Sequence, residues 1–192
     1  MANGWAAFLD FSVGTGIVAV MSMFQASLLQ ICIGGALALL PDYIHIPWLL
    51  KVFRGEKITE DHHRTWSHRP VFILTGATVI AWHFGGMLWA DIAFLCVCWH
   101  FLHDYPFGDG FLNWFWPLKA DHHVPVDHEK WIEENWLTSG IKFKKEVGAG
   151  IAILVAALFL TNHRELAILA FIILTCMFFA WELLTKRYAS AT

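Results

Sequence analysis

The chain has 192 residues, 57% of them hydrophobic and only 15% charged, with 11 Trp and 16 Phe; a soluble domain carries about 25% charged residues, so this composition indicates an integral membrane protein. A net charge of −3 argues against a general nucleic-acid binder, which needs a concentrated basic surface to displace counterions. Cys32, Cys96, Cys98 and Cys176 lie in apolar runs without a C-x-x-C pair, which argues against a disulfide framework and a thiolate zinc site.

Met1 to Asp10 has no Lys or Arg and so lacks the positive start of a cleavable signal peptide; the first apolar run is expected to be retained. Against the ~20 residues that cross a ~30 Å hydrocarbon core, five segments read as transmembrane helices of an all-α, single-domain protein. They cover about residues 11–40, 71–89, 87–104, 147–161 and 166–184. The first is longer than a crossing needs, and Gly14, Gly16, Gly34 and Gly35 offer places to tilt or bend. The second and third meet at Gly85-Gly86, and Asp91 reads as the N-terminal cap of the third.

Lys and Arg accumulate in cytoplasmic loops. With five spans and the N-terminus outside, Lys51, Arg54, Lys57, Arg64, Arg69, Lys119, Lys130, Lys142, Lys144, Lys145, Lys186 and Arg187 fall inside, and only Arg164 falls outside. The expected topology is N-out, C-in, with an aromatic-rich cytoplasmic region over 105–146 between spans three and four. Trp114, Phe115 and Trp116 there suit the headgroup zone, and Asp127 is placed to cap a short interfacial helix over 128–137.

That topology decides which polar residues meet. Leu40-Pro41-Asp42 ends the first span on the inner face, His62, His63 and His68 lie in the first inner loop, and His100, His103 and Asp104 end the third span. On a helix His100 and Asp104 stand at i and i+4, so imidazole and carboxylate project from one face with a metal-ligand spacing. The competing reading is a helix end whose polar residues reach the headgroups.

The stretch Asp61-His62-His63-Arg64-Thr65-Trp66-Ser67-His68-Arg69-Pro70 is dense in imidazole, the commonest metal ligand. Its competing reading is a basic loop against anionic lipid headgroups. Arg64 and Arg69 are suited to a phosphate or carboxylate, and Asp42, at a span end, is a carboxylate that hydrocarbon tolerates only when paired or functional. His45 is an optional further ligand. Asp121-His122-His123 either completes the shell or forms an exposed turn between Pro117 and Pro125.

Taken in order, Leu40-Pro41-Asp42, His63-Arg64-x-x-Ser67-His68, and His100-x-x-x-Asp104 followed by Trp116-Pro117 resemble the bacterial inner-membrane metal-dependent hydrolase family, some of whose members are regulated with the DNA-damage response. The resemblance covers about residues 34–118. Ile44 stands where that family has a second Asp, Thr65 and Ser67 where it has Gly and Thr, and Trp99 where it often has Ser. Carried over residue by residue, the resemblance implies Asp42, His63, His68, His100 and Asp104 as metal ligands with Arg64 alongside. His103 falls off the family pattern and is assigned beside the ligands.

The expectation is therefore a multi-pass protein of the bacterial inner membrane, a hydrolase with one or two divalent ions at the cytoplasmic surface. Mixed His and carboxylate ligation fits Zn, with Mn or Fe as alternatives, better than an all-oxygen Mg or Ca cage. Arg64 would steady developing negative charge, and His103, or whichever of His62 and Asp104 is not a ligand, would act as general base. The partners are the lipid bilayer and a small-molecule or lipid-like substrate, a phosphoester among them; oligomeric state is left open.

Two other classes compete. His63-x-x-x-x-His68, His100-x-x-His103 and His122-His123 are faintly similar to the histidine boxes of di-iron membrane hydroxylases and desaturases, with Asp104 where a further His is expected. A metal-binding or lipid-binding membrane protein without turnover is the third.

Overall fold

The computed structural model describes residues 3–43, 69–107 and 141–189. Among them the chain is all-α, with six helices and no strand: α1 (Asn3–Met21), α2 (Leu28–Ala38), α3 (Leu40–Tyr43), α4 (Pro70–Phe107), α5 (Ile141–Leu160) and α6 (Arg164–Ala189). Pro70–His103 in α4 and Arg164–Trp181 in α6 are each long and apolar enough to cross a membrane. The chain groups into two compact units, one of Met1–Ile33 with Asp127–Thr192 and one of Gly34–Val126.

In the first unit, α1 stops where Met23 and Phe24 take left-handed backbone angles, φ 52° and 63°. The Phe24 amide donates to the Ala19 carbonyl (2.7 Å) and the Met23 amide to the Val20 carbonyl (2.9 Å), the two bonds of a Schellman turn. Next, α2 opens with a reciprocal cap: the Ser27 amide donates to Gln30 Oε1 (2.8 Å) and the Gln30 amide to Ser27 Oγ (3.3 Å). Residues 11–40, expected as one long span, are thus two helices separated at 22–27, because both orphaned helix ends find local partners there.

Small residues let α1 and α5 approach. A Cβ added at Gly150 would stand 2.8 Å from the Phe8 ring, and one at Gly16 would stand 3.0 Å from Ile153, so larger side chains would force the backbones apart. Within α1 the buried Thr15 hydroxyl donates to the Ser12 carbonyl (2.6 Å) and the Ser12 hydroxyl to the Phe8 carbonyl (2.7 Å), which satisfies both without water.

A second Schellman turn closes α5. Asn162 has φ 67°, the His163 amide donates to the Leu158 carbonyl (2.8 Å) and the Asn162 amide to the Phe159 carbonyl (3.3 Å). The next helix follows at once, with the Ala167 amide donating to the His163 carbonyl (3.0 Å). The expected helices over 147–161 and 166–184 are present, extended back to Ile141 and on to Ala189.

In the second unit, Pro41 separates α3 from α2, since proline has no amide to donate and its ring clashes with a preceding helical turn. The Asp42 amide donates to the Leu39 carbonyl (3.0 Å), which ties the backbone of Asp42 into a tight turn. At the start of α4, Pro70 occupies the first helical position and the Ile73 amide donates to the Arg69 carbonyl (3.0 Å).

At Gly86 the backbone of α4 leaves the helix at φ 73°, ψ −167°, a conformation essentially restricted to glycine. Ile73 and Ala77 before this point pack in one cluster with Val97 and Phe101 after it. A straight helix rising 1.5 Å per residue would hold Ile73 about 42 Å from Phe101, so α4 is a hairpin of two antiparallel arms. The arms correspond to the segments expected over 71–89 and 87–104. Asp91, expected as a cap, instead lies in the second turn of an arm that starts at Met87.

The hairpin and α6 leave much apolar surface uncovered. Trp82, Phe84 and Met87 stand out at the bend, Val79, Ile80, Phe94 and Leu95 along the arms, and Ile168, Leu169, Phe171 and Ile172 along α6.

Candidate metal site

Asp42 and His100, two of the five expected ligands, face each other. His100 Nε2 stands 3.7 Å from Asp42 Oδ1, with the His100 side chain 1% exposed and that of Asp42 39% exposed. Their meeting follows from the packing beneath them. Leu40 and Leu74 lie against the cluster of Ile73, Ala77, Val97 and Phe101, so an apolar anchor two residues before Asp42 fixes α3 to both arms of the hairpin. His100 directly precedes the fully buried Phe101, which locks that turn of the second arm.

The separation itself is informative. At 3.7 Å the pair is beyond direct hydrogen-bond distance, whereas two donors on one ion with bonds of ~2.1 Å stand ~3.4 Å apart in a tetrahedron. The spacing is that of a His–carboxylate ion pair, and the two side chains supply two of the three or more donors that a divalent site needs.

Asp104 lies one helical turn beyond His100, and the second arm continues as helix to Phe107, so the i, i+4 relation expected of the two is kept in the backbone. The buried His103 ring lies nearly parallel to the Trp99 ring, with centroids 5.8 Å apart and planes at 13°, which fixes the orientation of the imidazole. Among the described residues no three His, Cys, Asp or Glu side chains gather as a metal-binding group. His63, Arg64 and His68, together with His45, His62, Asp121, His122, His123 and the interfacial segment 128–137, lie outside the described residues.

Two contributors were not picked out from the sequence as parts of the site. Trp99 stands in the sequence only as a departure from a family pattern, although its i, i+4 spacing to His103 marks two rings on one helix face. Leu40 reads in the sequence as the end of a span, yet its side chain packs on the hairpin cluster two residues before Asp42. Comparison with protein-family models, with curated proteins and with solved structures finds no match for this chain.

Proposed function

We propose that this chain is a metal-dependent hydrolase of the bacterial inner membrane, acting at the cytoplasmic side of the bilayer on a phosphoester or lipid-like substrate. The observation that carries the reading is the approach of Asp42 to His100 at 3.7 Å, a pair far apart in sequence, each member of which is expected as a ligand. Asp42 and His100 would hold the ion, with Asp104, His63 and His68 completing the set. A divalent ion bound there supplies Lewis acidity toward an ester or phosphoryl oxygen and acidifies water.

The chain's own residues divide the remaining work. Burial of His100 keeps its imidazole in one orientation, while the partly open Asp42 marks the side from which substrate approaches. His103, held against Trp99, takes up the proton released on water attack. Arg64 steadies negative charge on the reacting oxygen.

The membrane location rests on the uncovered apolar faces of α4 and α6 and on the charge pattern. Of the 13 Lys and Arg, only Arg164 falls outside in an N-out, C-in arrangement. That split sets the direction of the later spans however the first segment crosses. N-out follows when α1 and α2 make one bent passage, because α2 alone, with 11 residues, reaches only ~16 Å of the ~30 Å core.

The test is turnover by detergent-purified protein on phosphoester and acyl-ester lipids. Activity should vanish with a chelator, return with Zn or Mn, and be lost in Asp42→Asn with helix content unchanged. Oxygen-dependent turnover with bound iron would move the chain to the di-iron class, and absence of any turnover with metal bound would make it a binding protein.

A further inference from the structure

The α4 hairpin is a ruler for the depth of the Asp42–His100 pair. From Gly86 to His100 the second arm rises about 21 Å, and from Gly86 back to Arg69 the first rises about 26 Å. Between Arg69 and Asp91 there is no charged side chain, and the bend presents Trp82, Phe84 and Met87 outward. Trp favours the interface between hydrocarbon and water. The first amides of the second arm have no carbonyl of their own helix to bond, which hydrocarbon does not tolerate. Both features put the bend at the far interface.

A bend at the far edge of a ~30 Å core leaves the His100 level about 9 Å inside the cytoplasmic boundary. Any tilt of the hairpin shortens its reach and sinks the pair further. Asp42, at 3.7 Å from His100, shares that depth, and the neighbouring outward side chains Phe72 and Leu102 are apolar and more than half exposed.

We infer that the pair works inside the hydrocarbon layer and receives its substrate laterally from the bilayer, the substrate being the acyl ester of a lipid amphiphile rather than a water-soluble phosphoester. This deepens the hydrolase reading and rests on it. Lipid ester carbonyls are the polar groups next to the hydrocarbon, whereas phosphates lie farther out among the headgroups. In the reaction the acyl C–O bond breaks and a C–O bond to the water oxygen forms. The proton from water passes to the leaving alkoxide, giving a fatty acid and an alcohol.

Depth is measured without reference to activity. Single nitroxide labels are attached through Leu102→Cys and Met87→Cys in a chain whose native cysteines are replaced by alanine, reconstituted into phosphatidylcholine and phosphatidylglycerol vesicles. The label at 102 should collide with oxygen and be shielded from a water-soluble nickel chelate, and the label at 87 should be reached by the chelate. A 102 label open to the chelate with an 87 label in mid-bilayer would overturn the depth. In the native chain Cys98, two residues before His100, should resist a charged maleimide added to the vesicles; ready modification would overturn it equally.

Substrate class is read separately, by comparing long-chain acyl esters in vesicles with soluble short-chain phosphoesters. Preferential cleavage of the embedded ester supports the inference, and preferential cleavage of the soluble phosphoester overturns it. If neither is cleaved, the hydrolase reading and the substrate assignment fall together, while the label depths still decide where the pair lies.

Discussion

Replacing Gly86 with alanine tests the hairpin on which the site is built. At φ 73°, ψ −167° an added Cβ meets no neighbouring atom within 4 Å, so the cost is backbone strain alone, about 1–3 kcal/mol. Gly76→Ala is the matched control. It lies in the interior of the first arm with equally open space, and alanine there should stabilise by about 0.5–1 kcal/mol through lower backbone entropy in the unfolded chain. The two variants carry the same chemical change and should move stability in opposite directions. The assay is unfolding of the detergent-solubilised protein by added SDS, followed by far-UV circular dichroism and tryptophan fluorescence. Equal shifts for the two variants, or a more stable Gly86→Ala, would refute the reversal at Gly86 and with it the packing that brings Asp42 to His100.

Two further substitutions probe the packing in each unit. Phe101→Ala empties a fully buried position in the cluster of Ile73, Ala77 and Val97 and should cost about 3–5 kcal/mol in the same titration; a loss below that of an exposed Leu102→Ala would contradict the cluster. Gly150→Ala drives a methyl to 2.8 Å from the Phe8 ring and should cost about 1–3 kcal/mol, whereas Gly148→Ala, inside the same helix with nothing within 4 Å, should stabilise by about 0.5–1 kcal/mol, as at Gly76. A Phe8→Ala background should remove most of the Gly150 penalty.

The helical class and the later helices were legible in long apolar runs with few charges, which favour a helix because it bonds the backbone groups within the segment. The reversal in α4 was legible too, since Gly85-Gly86 interrupts an apolar stretch too long for one crossing. The break in residues 11–40 was missed although Ser27-x-x-Gln30 is a recognisable cap. Length and apolarity outweighed it, and Met23 and Phe24 are not residue types that announce left-handed backbone.

For the site, the approach of Asp42 to His100 was legible through topology, which put both residues at the inner ends of spans. The Trp99–His103 stack was not, because ring orientation depends on side-chain rotamers that sequence spacing does not fix. The contact of Gly150 with Phe8 was equally hidden, since a glycine in an apolar run does not say which helix it faces.

The measurement that bears most directly on the central claim is the metal content of the purified protein, beside that of His100→Ala and Asp42→Ala. The account predicts a divalent transition metal at close to stoichiometric amount in the native chain, and its loss in both variants with helix content preserved. A native chain free of metal after purification without chelators, or full occupancy in either variant, would contradict it.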